Sequence, residues 1–316
     1  MRLFLALLVL ALVSASTWSQ TPRRYVALTF DDLPKALDSG KVKETQKTTT
    51  DILSTLKRHR APAIGFVNER QLYAYGETDA RIAILNQWPA SGMILGNHTY
   101  SHPDLQTTPL SQYEDEVTRG EIVTRRLMRA AGSYQLYFRH PFTHTGPTRE
   151  VKAAFEEFLR SRGYKIAPFT IENSDYIYNK LYVAAKQTND QALMTRIRAA
   201  YLDNNDAAFA FMEALSKETF NREITQVLLI HANDLNADSL DELLNRLESH
   251  GYSFVTLDRA LEDKAYQTRD DYVGATGPSW LHRWRVGLGL KSKLVDEPDP
   301  PNWILESYKK AITAQQ

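Results

Sequence analysis

From Arg24 onward the chain alternates two textures, and that alternation limits its fold more than any other feature. Seven short aliphatic, β-branched or aromatic runs read as buried strands: Tyr25–Phe30, Ile64–Val67, Met93–Leu95, Leu136–Phe138, Lys165–Phe169, Val227–Ile230 and Ser253–Thr256. Amphipathic stretches lie between them: Val42–His59, Asp79–Trp88, Ser111–Ala131, Thr148–Arg162 and Ser239–His250. Thr148 and Glu150 mark one helix start, while Gly163 and Gly251 follow the ends of two helices. Strands interleaved with helices in this way give βα units and a parallel sheet. Two regions break the rhythm. Residues 178–224 hold only helical texture, Gln191–Tyr201 and then Ala207–Phe220, and read as a helical insertion between the fifth and sixth strands. Residues 266–316 hold three of the five tryptophans, Trp280, Trp284 and Trp303, and read as a C-terminal extension packed on the outer helices.

Composition narrows the chemistry. The 316 residues carry 38 Lys+Arg against 38 Asp+Glu, which removes the electrostatic drive for a nucleic-acid partner. The absence of cysteine excludes thiol catalysis, disulfides and thiolate-bound metal, so any metal must sit on His and carboxylate. At the N-terminus Arg2, the apolar run Leu3–Val13 and the small residues Ser14–Ser16 describe a secretory signal over residues 1–20. That run is shorter than the ~20 residues of a membrane span. The expectation is an exported protein, periplasmic or extracellular, without a stable membrane anchor.

In parallel α/β folds the reactive side chains collect at the carboxyl ends of strands. The first strand ends in Asp31-Asp32, whose side chains alternate in direction, so that one can bind a metal while the other faces the reaction. The third ends in His98-Thr99-Tyr100-Ser101-His102, where one helical turn would bring both imidazoles to one face. The fourth runs into Arg139-His140-Pro141-Phe142, the fifth is followed by Glu172-Asn173-Ser174-Asp175-Tyr176, and the sixth ends on His231. Each has a bland reading as a cap, a solvated pair or a satisfied edge histidine. Their arrival in order at five strand ends is the specific signal.

These segments resemble the motif series of the polysaccharide deacetylase family, the NodB-homology or carbohydrate esterase 4 group, over about residues 24–260. The carriers are TFDD at 29–32, HTYSH at 98–102, RHPF at 139–142, SDY at 174–176 and LIH at 229–231. The resemblance implies a distorted (β/α)7 barrel over residues 21–265, with the helical insertion and the extension added. It implies a hydrolase that removes N-acetyl groups from an acetamido-sugar glycan with one divalent ion, for which zinc suits the donors. By the same resemblance Asp32, His98 and His102 are metal ligands, Asp31 is the general base acting on metal-activated water, and His231 is the general acid. Arg139 would hold the base and pair with Asp175, the Phe142 N–H would bind the oxyanion, and Leu229 with Tyr176 would wall the acetyl methyl. Phe142 stands where the family usually has Tyr, Tyr176 where Trp is common, and Ala232 where Asp commonly follows the histidine. His144 is read as pocket-lining, and His59, His250 and His282 as surface or helix-end residues. Two alternatives remain: an O-acetyl esterase or other C–N hydrolase on the same metal site, and a non-catalytic glycan-binding protein.

Overall fold

A computed structural model describes residues 24–36, 40–133 and 135–313; the expected secretory segment, residues 1–20, lies outside them. Among the described residues no helix is long and apolar enough to cross a membrane. The chain runs β1 (Arg24–Leu33), α1 (Val42–Arg58), β2 (Ala63–Val67), α2 (Thr78–Ala90), β3 (Ile94–Asn97), α3 (Leu110–Arg119), α4 (Ile122–Ala130), β4 (Leu136–Phe138) and α5 (Arg149–Ser161). It continues through β5 (Tyr164–Ile166), β6 (Ile171–Glu172), α6 (Asp175–Gln187), α7 (Gln191–Phe220), β7 (Gln226–His231), α8 (Asp234–Ser249), β8 (Tyr252–Val255), α9 (Leu257–Leu261), α10 (Trp280–Gly287) and α11 (Asn302–Thr313).

The sheet is parallel throughout, in the order β5-β4-β3-β2-β1-β7-β6, with β8 set beside β1. It curls into a distorted (β/α)7 barrel. β1 has three partners: β8 along Arg24–Ala27, β2 along Leu28–Leu33 and β7 along Val26–Asp31. A strand enclosed on all sides must be apolar on both faces, which is why Val26–Phe30 reads as an unbroken run instead of an alternation.

Between β5 and β6 no ladder forms among the described residues. The sequence suggests one strand over Lys165–Phe169, but Pro168 has no N–H to donate to a ladder. The chain changes partners there: the Ala167 N–H goes to the Phe138 carbonyl, at 2.8 Å, and the Thr170 N–H to the Val227 carbonyl, at 2.9 Å. The tail fills the seam. The Trp280 N–H donates to the Phe169 carbonyl at 2.9 Å, and the two rings meet edge to face at 5.6 Å. Trp280, Leu281, Trp284 and Ile304 belong to the main apolar core, so the extension packs on α6 and α7 and also reaches the seam in the barrel wall.

Two helices also depart from the sequence pattern. The stretch Ser111–Ala131 is broken into α3 and α4 at Gly120, where a Cβ would stand 2.5 Å from the Thr99 carbonyl carbon. Conversely, α7 runs unbroken for 30 residues through Leu202–Asp206. Its polar interruption is internal: Asn205 accepts from the Asn173 amide at 2.9 Å and Asn204 donates to the Asn173 carbonyl at 3.3 Å. Periodicity registers buried asparagines as a gap, whereas tertiary hydrogen bonds make them part of the helix.

Candidate active site

The carboxyl ends of the strands open into a cavity of about 570 Å³. Nine of the eleven residues singled out from sequence line it: Asp31, Asp32, His98, His102, Phe142, His144, Tyr176, Leu229 and His231. The other two, Arg139 and Asp175, are fully buried behind its wall. Asp32, Thr99, His102, Phe142, Thr143 and Ser174 all have positive φ, between 53° and 67°. Non-glycine residues avoid that region, and strain of this kind persists only where the surroundings over-determine it.

His98 and His102 converge through a loop, not through the helical turn that their spacing suggests. Asn97 ends β3 and accepts the Thr99 N–H at 2.7 Å; Glu116 accepts the Tyr100 N–H through its carbonyl, at 2.9 Å, and the Ser101 N–H through its carboxylate, at 2.6 Å. The two rings finish 4.9 Å apart. His98 Nδ1 lies 2.8 Å from the Arg139 carbonyl, which can only accept, so that nitrogen carries the proton and Nε2 keeps its lone pair. Burial, reinforced by His102, holds the His98 pKa well below its ordinary value, and burial also lowers that of His102 against the pull of Asp32.

Each Nε2 stands 3.5 Å from Asp32 Oδ1, an atom that is buried without a hydrogen-bond partner among the described residues. One ligand atom from each of Asp32, His98 and His102 lies within 4.8 Å of the others. A tetrahedral ion ~2.0–2.2 Å from its donors spaces them about 3.5 Å apart, so the trio fits a divalent cation. Neutral imidazoles with free lone pairs and an orphaned carboxylate oxygen are the donor set such an ion needs.

Asp31 sits beside this trio, with burial pushing its pKa up to about 6 despite the opposing Arg139 charge. Arg139 Nη1 is 3.5 Å from Asp31 Oδ2, Nη2 donates to Thr29 Oγ1 at 3.0 Å and Nε donates to the Ala167 carbonyl at 2.9 Å. The expected pairing of Arg139 with Asp175 is absent. Asp175 lies at the start of α6 and accepts from His231 instead: its backbone N–H at 2.8 Å and its Nδ1 at 2.6 Å. Asn233 and Asn236 also donate to Asp175. The geometric reason is the strand order, in which β6 adjoins β7 while β4 lies on the far side of β1. Burial opposes a charge on His231, but the Asp175 charge and hydrogen bond, helped by Asp32 and Asp31, outweigh it and raise the pKa to about 10.

His144 Nδ1 is 2.9 Å from Asp104 Oδ1. His282, expected at the surface, is buried in α10, with Nε2 3.1 Å from Glu297. The cavity wall also includes residues that sequence reasoning did not assign. Glu172 and Asn233 adjoin the motifs and had a signal in that adjacency; burial, then the Asp175 charge, pushes Glu172 up to about 7. The tail contributes Thr276–Ser279, Leu294 and Glu297, for which no local pattern exists. Gly277 packs against the Phe142–Thr143 turn so closely that a Cβ would stand 1.8 Å from Thr143 Oγ1 and 2.3 Å from the Phe142 carbonyl oxygen.

The profile of the family described as polysaccharide deacetylase matches residues 19–165, the stretch that carries Asp31, Asp32, both metal-site histidines and Arg139. A peptidoglycan-N-acetylglucosamine deacetylase of Bacillus cereus is 32% identical over 237 residues, 73% of this chain and 66% of that relative. The chain belongs to the polysaccharide deacetylase family. As a member of that family it is a hydrolase of the deacetylase class. A chitin deacetylase of Colletotrichum lindemuthianum is 25% identical over 247 residues, covering 75% of this chain and 79% of the relative. In fold, the polysaccharide deacetylase barrel is similar to a solved mutant of a carbohydrate esterase family 4 pseudoenzyme from Bacillus anthracis, with a TM-score of 0.50 and 16% identity over 76% of this chain and 68% of that one.

Proposed function

We propose that this chain is an exported, metal-dependent N-deacetylase acting on an acetamido-sugar glycan of the peptidoglycan or chitin type. Fold likeness alone cannot carry this, since the matched solved structure is a pseudoenzyme. The observation that carries it is a single cavity in which a three-donor metal site is flanked by a buried carboxylate and by a histidine locked to a second carboxylate.

In this reading Asp32, His98 and His102 hold the ion, and when bound it acts as a Lewis acid on the acetamide carbonyl and on water. Asp31 takes the proton of the attacking water. Its raised pKa suits a base working near neutrality, and Arg139 with Thr29 fixes it from behind. The Phe142 backbone N–H is the donor for the developing oxyanion; one such donor contributes about 3–4 kcal/mol. His231 gives its proton to the departing amine nitrogen, which leaves poorly as an anion. Asp175 accepts the Nδ1 proton, which keeps the ring charged and fixed so that Nε2 carries the proton to be given, with Asn233 and Asn236 holding Asp175. Leu229 and Tyr176 wall the acetyl methyl, and His144, braced by Asp104, borders the sugar. The full set of base, acid and donor is what separates this reading from a binding protein, which needs neither proton-transfer group.

The test is acetate release by the purified chain from N-acetylglucosamine oligomers and from peptidoglycan, with and without chelator and Zn²⁺, beside Asp31→Asn. Release that requires metal and is lost in the variant is the expected result. Metal binding without release from either substrate would redirect the site to O-acetyl esters or another amide. A chain that binds no metal would overturn the proposal.

A further inference from the structure

The metal-site residues Asp32 and His102 face two cavities, not one. The second, about 460 Å³, lies on the side away from the tail and is bounded by Arg70, Gln71, Tyr73 and Tyr100. The two sides differ in charge. Glu172 and Glu297 stand in the wall of the first cavity, and among the described residues no Lys or Arg lines it. In the second, Asp32 is the sole carboxylate among the described lining residues, while the exposed Arg70 guanidinium has no hydrogen bond or ion pair among the described residues.

The second wall is also rigid. The fully buried Glu69 carboxylate accepts the Val123 and Thr124 N–H groups at the start of α4, at 3.0 and 2.6 Å, which pins the turn that carries Arg70. The Arg70 N–H donates to the Tyr100 carbonyl at 3.0 Å, tying that turn to the histidine loop. Arg119 covers the Tyr100 ring at 3.9 Å, and the Tyr73 ring lies 6.1 Å from it, 46% exposed. An exposed aromatic held in place beside an unpaired guanidinium is a surface for a sugar ring that bears an anion.

We propose that the Arg70–Tyr73–Tyr100 cleft is a saccharide subsite adjoining the acetamide site, and that it takes a carboxylate-bearing sugar while the Glu172–Glu297 side takes a neutral one. This rests on the deacetylase reading above and sets the direction in which the glycan lies across the metal site. Tyr73 packs against the ring of the acidic sugar, and Arg70 pairs with its carboxylate.

Two zinc-loaded assays test it, with the N-acetylglucosamine tetramer and with the alternating peptidoglycan-strand tetramer whose lactyl carboxylates are free and whose stem peptides are removed. Arg70→Gln is expected to lower the kcat/KM ratio of acidic to neutral tetramer about fivefold, through KM, and the effect fades at high salt because an exposed ion pair is screened. Tyr73→Ala raises KM for both tetramers. A ratio that Arg70→Gln leaves unmoved overturns the proposal. If neither tetramer yields acetate, the deacetylase reading fails on its own terms. Calorimetric binding of the two tetramers to the zinc-loaded chain, with and without Arg70→Gln, then decides the subsite: selective loss for the acidic tetramer upholds it, and equal affinities overturn it.

Discussion

The His231 and Asp31 sides of the cavity are built on opposite plans. Asp175, behind His231, accepts from a backbone N–H, an imidazole and two asparagine amides. Asp31 Oδ2 has only long contacts, with Arg139 at 3.5 Å and His98 at 3.8 Å, and its Oδ1 is buried with no hydrogen-bond partner among the described residues. A fully satisfied buried network is rigid and specific, whereas an orphaned buried acceptor is costly unless a ligand or water completes it. The His231 side is thus finished by the protein. The Asp31 side is left unfinished, and in the proposed function the substrate, its water and the ion complete it.

Four measurements break or sharpen this contrast, in order of expected effect. Asp31→Asn removes the base and lowers acetate release about 10³-fold while zinc binding, read by equilibrium dialysis, persists; chelation abolishes release in the unmodified chain. Asp175→Asn lowers release about 10²-fold and returns the His231 titration, followed by NMR, from about 10 toward its ordinary 6.5. Because the folded pKa of His231 lies above the unfolded one, the stability gained from its partners is complete below about 6.5 and is lost as pH rises through about 10. In the metal-free chain the gap in unfolding free energy between wild type and Asp175→Asn therefore closes over that window. Gly277→Ala presses a methyl into the Phe142–Thr143 turn and is expected to lower kcat about tenfold with little change in zinc affinity. The smallest effect is on stability. Glu172 titrates at about 7 in the fold against 4.5 in the free chain, so Glu172→Gln raises the unfolding midpoint at pH 8 and leaves it unchanged at pH 4.

Much of this was legible in the sequence where local chemistry decides the outcome. The apolar runs located β1, β2, β4, β7 and β8 to within a few residues, and the strand-end motifs named eight residues that meet in one cavity, with His144 read separately. What was not legible depends on distant parts of the chain. Pro168 splits one expected strand because β4 and β7 lie on either side to take up its neighbours' N–H groups. Gly120 breaks a helix because Thr99 abuts it. Asn204 and Asn205 hide inside α7 because Asn173 is there to bond them. The partner of Asp175 follows from strand order, which spacing along the chain does not encode. The tail residues of the cavity had no signal at all, since Gly277 and Glu297 are brought to it by tertiary packing from far along the chain.

Asp31 and His231 are register partners on adjacent parallel strands, one rung of the β1–β7 ladder. The backbone positions from which Asp31 and His231 project are therefore held near the ~4.8 Å interstrand distance by the sheet and not by any loop. The machine carries its own ruler. Loops around the rim can lengthen, shorten or change their charge, and so exchange one glycan for another, while the gauge beneath them stays fixed. The converse is a single point of failure: sliding β7 by one residue would set Ile230 or Ala232 opposite Asp31 and turn His231 to the other face.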